Sequence, residues 1–293
     1  VNTNLPRFEP GQFGKAVMVE EGTTNLLNNP LFSTTGSWHL LTDGGGVFTA
    51  ENNWGKLTKG TGTYEVVRQR FSRSGNSGDK YTLQFKFKNN VIGQAGIRAG
   101  CTEGVISIGE TSKTITLDGA GGYIVVSLTY TATAAYTQVF ADVILGTLYG
   151  HNPPASFVEF SYAQLEAKPY ATSFIDGTRA AETLTIPTEG VLNPQEGTIE
   201  FWVKPLIVTS FTNFFQMTTS NGRFLLYFGS SGTVRFDYGP DRSGPAAPAG
   251  TIEANNWYHI VLRWSATTGK QALFVNGVKY EQNLPNGVAT SFP

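Results

Sequence analysis

The chain has 293 residues, 40% of them hydrophobic, 13% aromatic and only 15% charged, with 34 glycines; at roughly 150 residues per domain this length suggests two domains. Its 21 basic and 22 acidic residues leave a net charge of −1, which excludes the basic footprint of a nucleic-acid-binding protein and a polybasic membrane patch. Low charge with many glycines and aromatics suits short strands joined by tight turns, and the hydrophobic content argues against disorder.

In chain order, residues 1–27 read as an extended lead-in with turns at Pro6 and Pro10-Gly11 and a short strand over Lys15–Val19. Tyr81–Lys88 alternates apolar and polar residues strictly, the signature of a half-buried strand. Ile124–Tyr130 places Ile124, Val126, Leu128 and Tyr130 on one face, and Phe157–Tyr162 does the same with Val158, Phe160 and Tyr162. Gln138–Leu145 is more continuously apolar, as expected of a central strand. A boundary is expected across Ala167–Thr178, after which Thr198–Pro205, Val234–Tyr238 and Tyr258–Trp264 alternate again. Asn276-Gly277 between Gln271–Val275 and Val278–Tyr280 predicts a hairpin, because Asn-Gly supplies the two positive-φ residues of a type I′ turn. Gly239–Gly250 reads as a loop, and no window shows helical periodicity. The expected fold is all-β: two consecutive antiparallel β-sandwiches (jelly rolls), residues 28–175 and 176–293, behind an extended N-terminal segment, residues 1–27.

Cys101 is the single cysteine, so neither an intrachain disulfide nor a Cys-rich zinc pattern is available. No run of about 18 apolar residues is present, so membrane insertion is not expected. The chain opens on Val1-Asn-Thr without an initiator Met or a signal-peptide pattern, which reads as a fragment or a processed product.

The search for catalytic chemistry is nearly empty. His39, His151 and His259 are widely spaced and belong to no metal-binding helix motif, and His259 reads as an exposed strand histidine. No Gly-x-Ser-x-Gly elbow, P-loop or EF-hand pattern occurs. Glycoside hydrolysis needs two carboxyl groups held across one bond; Glu200 and Asp237 fall on separate strands, each on the presumed outer face, and Glu20-Glu21 would point to opposite faces. Non-enzymatic function is the expectation. Binding features are better represented, because sugar rings stack on flat aromatic side chains. Trp38, Trp54 and Tyr64 lie in or beside Gly/Asn/Thr-rich loops and are either a stacking set or rim aromatics capping the core, whereas Trp202 and Trp264 read as structural. Arg68, Arg70 and Arg73 with Phe71 read as a solvated edge face. No cofactor is required; a structural calcium would draw on Glu20, Glu21 and Asp176.

Three stretches carry a resemblance to phage tail and virion proteins. Leu5-Pro-Arg-Phe-Glu9 with Val19-Glu-Glu-Gly-Thr-Thr-Asn-Leu-Leu27 resembles a junction element of those proteins. Tyr162–Ala167, Tyr170–Ile175 and Thr178–Ala181 resemble the segment that closes their carbohydrate-binding-module-like jelly roll. Leu192–Pro205, Asn256–Val261 and Ala272–Gly277 resemble a laminin-G-like, concanavalin A-like sandwich. Such sandwiches normally continue past the hairpin with one or two closing strands, so the second domain is expected to be incomplete at Ser291-Phe-Pro293 or completed from elsewhere. The resemblance implies a non-enzymatic virion component, a tail fibre or tip on the extracellular virion surface. Its implied partners are host cell-surface polysaccharide and other virion proteins, displayed as a homo-oligomer, for fibres often a trimer. Two other readings stand beside it: a structural or decoration part of the virion, and the accessory carbohydrate-binding region of a secreted glycoside-active enzyme.

Overall fold

Alternation of apolar and polar residues translates directly into strands with one buried face. In the computed structural model, which describes residues 7–188, 190–220, 222–240 and 243–285, Lys80–Lys88 buries Tyr81, Leu83, Phe85 and Phe87, and Tyr258–Ser265 buries Tyr258, Ile260, Leu262 and Trp264. Among the described residues there is no α-helix, only strands and two short 3₁₀ turns. The all-β expectation of antiparallel sandwiches holds. The chain forms two units, one from residues 20–182 and one from residues 1–19 with 183–293. Residues 20–27 and 176–182 therefore fold with the first sandwich, whereas the sequence reading placed them in the lead-in and in the second sandwich.

The unit of residues 20–182 is a jelly-roll sandwich. One sheet runs Ile106–Asp118, Ile92–Glu103, Tyr136–Leu145, Glu65–Gly75 and His39–Thr42; the other runs Tyr123–Thr131, Lys80–Lys88, Phe157–Glu166, Trp54–Thr58 and Val47–Glu51. The inner faces meet in one core that includes Leu83, Phe85, Phe87, Ile97, Val143 and Phe160. Periodicity did not show Ile92–Glu103 as a strand, because glycine interrupts it. Its outward glycines serve close packing: a Cβ on Gly100 would sit 2.6 Å from the Phe140 ring, and one on Gly96 would sit 2.8 Å from His151. In Phe157–Glu166 the register shifts between Ser161 and Gln164, with Tyr162 at φ 53°. This bulge turns Tyr162 outward, where alternation predicted it inward, and returns Leu165 to the core.

The resembling junction segments form a polar clasp that closes this sandwich. Thr23-Thr24 pairs with Thr178-Arg179. Asn25 donates through Nδ2 to the carbonyls of Ala163 and Ile175, and its Oδ1 accepts the N–H groups of Leu27 and Leu165. The fully buried Glu166 accepts from the hydroxyls of Thr23 and Thr172, both at 2.6 Å, from the Thr172 N–H and from Gln164 Nε2. Thr23, Asn25 and Glu166 thus satisfy buried backbone or side-chain groups that would otherwise be orphaned.

In the other unit, Glu196–Val203, Tyr258–Ser265, Lys270–Val275 and Val278–Asn283 form one sheet, and Asn213–Thr219, Gly222–Phe228, Val234–Gly239 and Ala246–Ala247 the other. Phe224, Phe236, Tyr238, Leu262, Trp264 and Leu273 fill the space between them. The Asn-Gly hairpin is as expected, with Asn276 at φ 49° and Gly277 at φ 82°. Ala246–Ala247 adds a short strand within the expected loop. The lead-in is a hairpin rather than an extended segment: Arg7–Gly11 pairs with Gly14–Met18, and Phe13 at its turn meets the Trp202 ring edge-on at 5.1 Å. Ser291–Pro293, past which closing strands are expected, lie outside the described residues.

Candidate functional site

The three aromatic candidates go to three different places. Trp38 is 3% exposed and packs against Phe32 and Phe85 with ring centroids 4.9 and 5.9 Å away. Its Nε1 donates to the Asn29 carbonyl. It is a core residue and has no free ring face for a ligand, which corrects its place in the stacking set. Tyr64 is half-buried and meets Tyr149 edge-on at 6.5 Å. Trp54 is half-buried on the outer face of the other sheet.

Trp54 is placed there by the hairpin Val47–Glu51/Trp54–Thr58. Its two-residue turn is Asn52-Asn53, at φ 51° and 63°, the positive pair a type I′ turn requires and asparagine tolerates. Ser161 Oγ donates to the Asn53 carbonyl at 2.5 Å and pins the turn to the sheet. Across the sheet, the Trp54 ring lies 5.5 Å from that of Tyr123, with planes 14° apart. Tyr123 is 59% exposed and Tyr162 39%. Lysines interleave with these rings: Lys86 Nζ is 4.1 Å from the Tyr123 centroid and 5.0 Å from that of Tyr162, Lys88 Nζ is 4.7 Å from Trp54, and Lys56 Nζ is 4.4 Å from Phe157. Glu159 accepts from Lys88 at 2.7 Å and from Asn90 at 2.6 Å. Burial works against its charge, but these bonds outweigh burial and hold its carboxyl below the usual carboxylate range.

This is a partly exposed aromatic cluster interleaved with hydrogen-bonding and charged groups, chemistry that can meet the C–H face and the hydroxyls of a sugar ring. Tyr123 and Tyr162 were missed in the sequence. Tyr123 lies just outside the alternation of Ile124–Tyr130, and alternation alone puts Tyr162 inward because a bulge leaves no mark on it. Asn-Asn before Trp54 is the signal that locates the hairpin.

The opposite sheet carries a charged face. Asp142 is fully buried between Arg68, whose Nε and Nη2 reach its two oxygens at 2.7 Å, and Arg98, whose Nε and Nη2 lie 2.8 and 2.7 Å away. Arg73 donates to the Tyr81 hydroxyl. Arg70 is exposed as expected, but Glu65–Gly75 lies between two other strands rather than at an edge, and Arg68 with Arg98 neutralises a buried carboxylate.

The calcium candidates do not converge. Glu20 is buried, 3.0 Å from Arg179 Nη2, and accepts the Ser173 N–H. Glu21 pairs with Lys168 at 2.7 Å, and Asp176 is exposed. Among the described residues no three of His, Cys, Asp or Glu come together as a metal site. Glu20 and Glu21, already matched to cations and an N–H donor, do not fit a calcium site. Asp237, expected on an outer face, is fully buried and accepts from the Tyr227 hydroxyl and the Gly244 N–H, because residues 243–245 cover it. Glu200 is exposed near His259, at 3.9 Å, and the His259 ring is tilted against Trp202, whose exposure of 41% departs from the structural role expected of it.

Residues 176–291 match the family model of the Concanavalin A-like lectin/glucanases superfamily. That match covers the second sandwich and agrees with its two four-stranded sheets. No curated protein matches the chain. Among solved structures, a protein described as CBM4 is similar at 16% identity and TM-score 0.36, over 48% of this chain and 99% of its own. The enzymatically active domain of Bacteriophage CBA120 tailspike protein 4 is similar at 12% identity and TM-score 0.39, over 48% of this chain and 21% of its own. A GlcNAcα1-4Gal-releasing endo-β-galactosidase from Clostridium perfringens is similar at 10% identity and TM-score 0.31, over 94% of this chain and 98% of its own. These are likenesses of fold, and no residue's role is taken from them.

Proposed function

We propose that this chain is a non-enzymatic glycan-binding protein that reads polysaccharide on the surface formed by Trp54, Tyr123 and Tyr162. The observation that carries the reading is the near-parallel pair of Trp54 and Tyr123 rings on the outer face of one sheet, Trp54 half-buried and Tyr123 59% exposed. Rings of this kind are costly to leave exposed unless something covers them, and a pyranose C–H face does so while its hydroxyls remain hydrogen-bonded. The carboxylate of this surface, Glu159, is engaged by Lys88 and Asn90, which suits orientation of a ligand rather than acid–base work. The biological setting we propose is attachment of a phage virion to its host through a tail fibre or tip, outside the cell. This rests on the resemblance of the junction segments to phage tail proteins. Display of several copies on a fibre would turn weak single sites into firm attachment.

Affinity electrophoresis through gels containing different polysaccharides, run on the wild type and on Trp54→Ala, tests the reading. The expected result is retardation by at least one polysaccharide, with affinity falling at least about tenfold in the variant, equivalent to about 1.4 kcal/mol. Retardation that survives Trp54→Ala and Tyr123→Ala unchanged contradicts it.

A further inference from the structure

Resting on that reading, the cations around the platform bear on which sugar chain it takes. Strand register orders the outer face into rows: Tyr123, Lys88, Glu159 and Lys56 lie side by side, and Val125, Lys86, Ser161 and Trp54 form the next row. The carboxylates on the face are Glu159 and, opposite Trp54 in its hairpin, Glu51. Three lysines, Lys56, Lys86 and Lys88, thus meet two carboxylates on a chain whose net charge is −1. The excess is local to the rings. Among the described residues Lys88 alone of these lysines is paired with a carboxylate, whereas the ammonium groups of Lys86 and Lys56 rest against aromatic rings. An ammonium held by a ring quadrupole keeps its full charge and its donors for an incoming anion.

We infer that the polysaccharide read by this surface is an acidic one, its sugar or polyol units stacking on Trp54 and Tyr123 while anionic groups along the chain meet Lys86 and Lys56. Lys56 also lies in register beside Glu159 and helps to hold its carboxyl charged, so Lys86 is the cation that a neutral glycan would leave without an anion. Carboxylate-bearing and phosphate-bearing chains share the required chemistry. A single-stranded nucleic acid also pairs stacking with phosphate, and the neutral whole-chain charge disfavours it.

Titration of the full chain with polygalacturonate, its fully methyl-esterified form, poly(glycerol phosphate) and single-stranded oligo(dT) tests the inference. The expected result is binding of polygalacturonate or of poly(glycerol phosphate) about tenfold tighter than the ester. Which of the two acids binds better separates carboxylate from phosphate recognition. The preference should shrink severalfold between about 50 and about 300 mM salt. In the double variant Lys56→Gln/Lys86→Gln, the first position exposed and the second half-buried, it should collapse to within about twofold. Equal binding of acid and ester, both lost in Trp54→Ala, overturns the acidic inference and leaves the glycan reading standing. Tighter binding of oligo(dT) than of either acid overturns it in favour of nucleic acid. Binding of none of the four also overturns it, and the glycan reading is then decided by the gels of neutral polysaccharide.

Discussion

Trp38 and Trp54 are the same side chain sixteen positions apart, put to opposite uses. Trp38 fills the core between Phe32 and Phe85; Trp54 lies on the sheet's outer surface beside Tyr123. Trp38→Ala is expected to destabilise its sandwich by about 3–5 kcal/mol, since it leaves a large cavity in close packing. Trp54→Ala should cost under about 1 kcal/mol while removing glycan binding. Urea denaturation of the two variants beside their binding curves checks this, and equal destabilisation by both would contradict the placement. Sequence did not separate the two, because each follows a stretch of Ser, Thr, Gly or Asn and neither belongs to a clean alternating run. Asp142 shows the same limit. It reads as one charge within an apolar strand, and only the register that sets Arg68 and Arg98 on either side explains why it is tolerated there.

At the scale of elements, strands with strict alternation and the Asn276-Gly277 turn were legible, because period and turn chemistry are local. Elements defined by a partner were not: glycine-broken Ile92–Glu103 is a strand because Phe140 and His151 occupy the space its missing side chains leave. The clasp was visible as a motif and its physical role was not, since its partners are more than 130 residues apart, as in the pairing of Asn25 with Ala163. Asn25→Ala strands several buried backbone groups and is expected to cost about 3 kcal/mol; a change under about 0.5 kcal/mol on urea denaturation would show that the clasp does not hold the sandwich closed. A second local device is pH-sensitive. The Thr63 hydroxyl, with the N–H groups of Tyr64 and Thr63, holds the Asp43 carboxyl down to about 2. A depressed carboxylate contributes stability that is complete above its unfolded value and lost as pH falls through its folded one. The tie between Asp43 and the segment carrying Tyr64 should therefore loosen between about pH 4 and about pH 2. Amide exchange of Thr63 and Tyr64 followed across that range reports it, and Asp43→Asn should remove the pH dependence.

At the scale of the whole molecule, each unit has its own core, one built around Phe85 and Phe160 and the other around Phe224 and Trp264. Calorimetry should show two transitions, with Trp38→Ala lowering one and Trp264→Ala the other; a single transition moved by both would contradict independent cores. Two sandwiches were legible from the spacing of strands and turns. Their division was not, because the chain crosses between units at residues 19–20 and 182–183, inside segments that lack periodic apolar residues. The central claim is that an aromatic surface in the first of these units binds a glycan by ring stacking. It is tested most directly by isothermal titration of the wild type, Trp54→Phe and Trp54→Ala with the polysaccharide that retards the wild type. The prediction is that Phe, which keeps a ring, stays within about tenfold of wild type while Ala loses at least a further tenfold. Equal affinity of all three proteins would contradict the account.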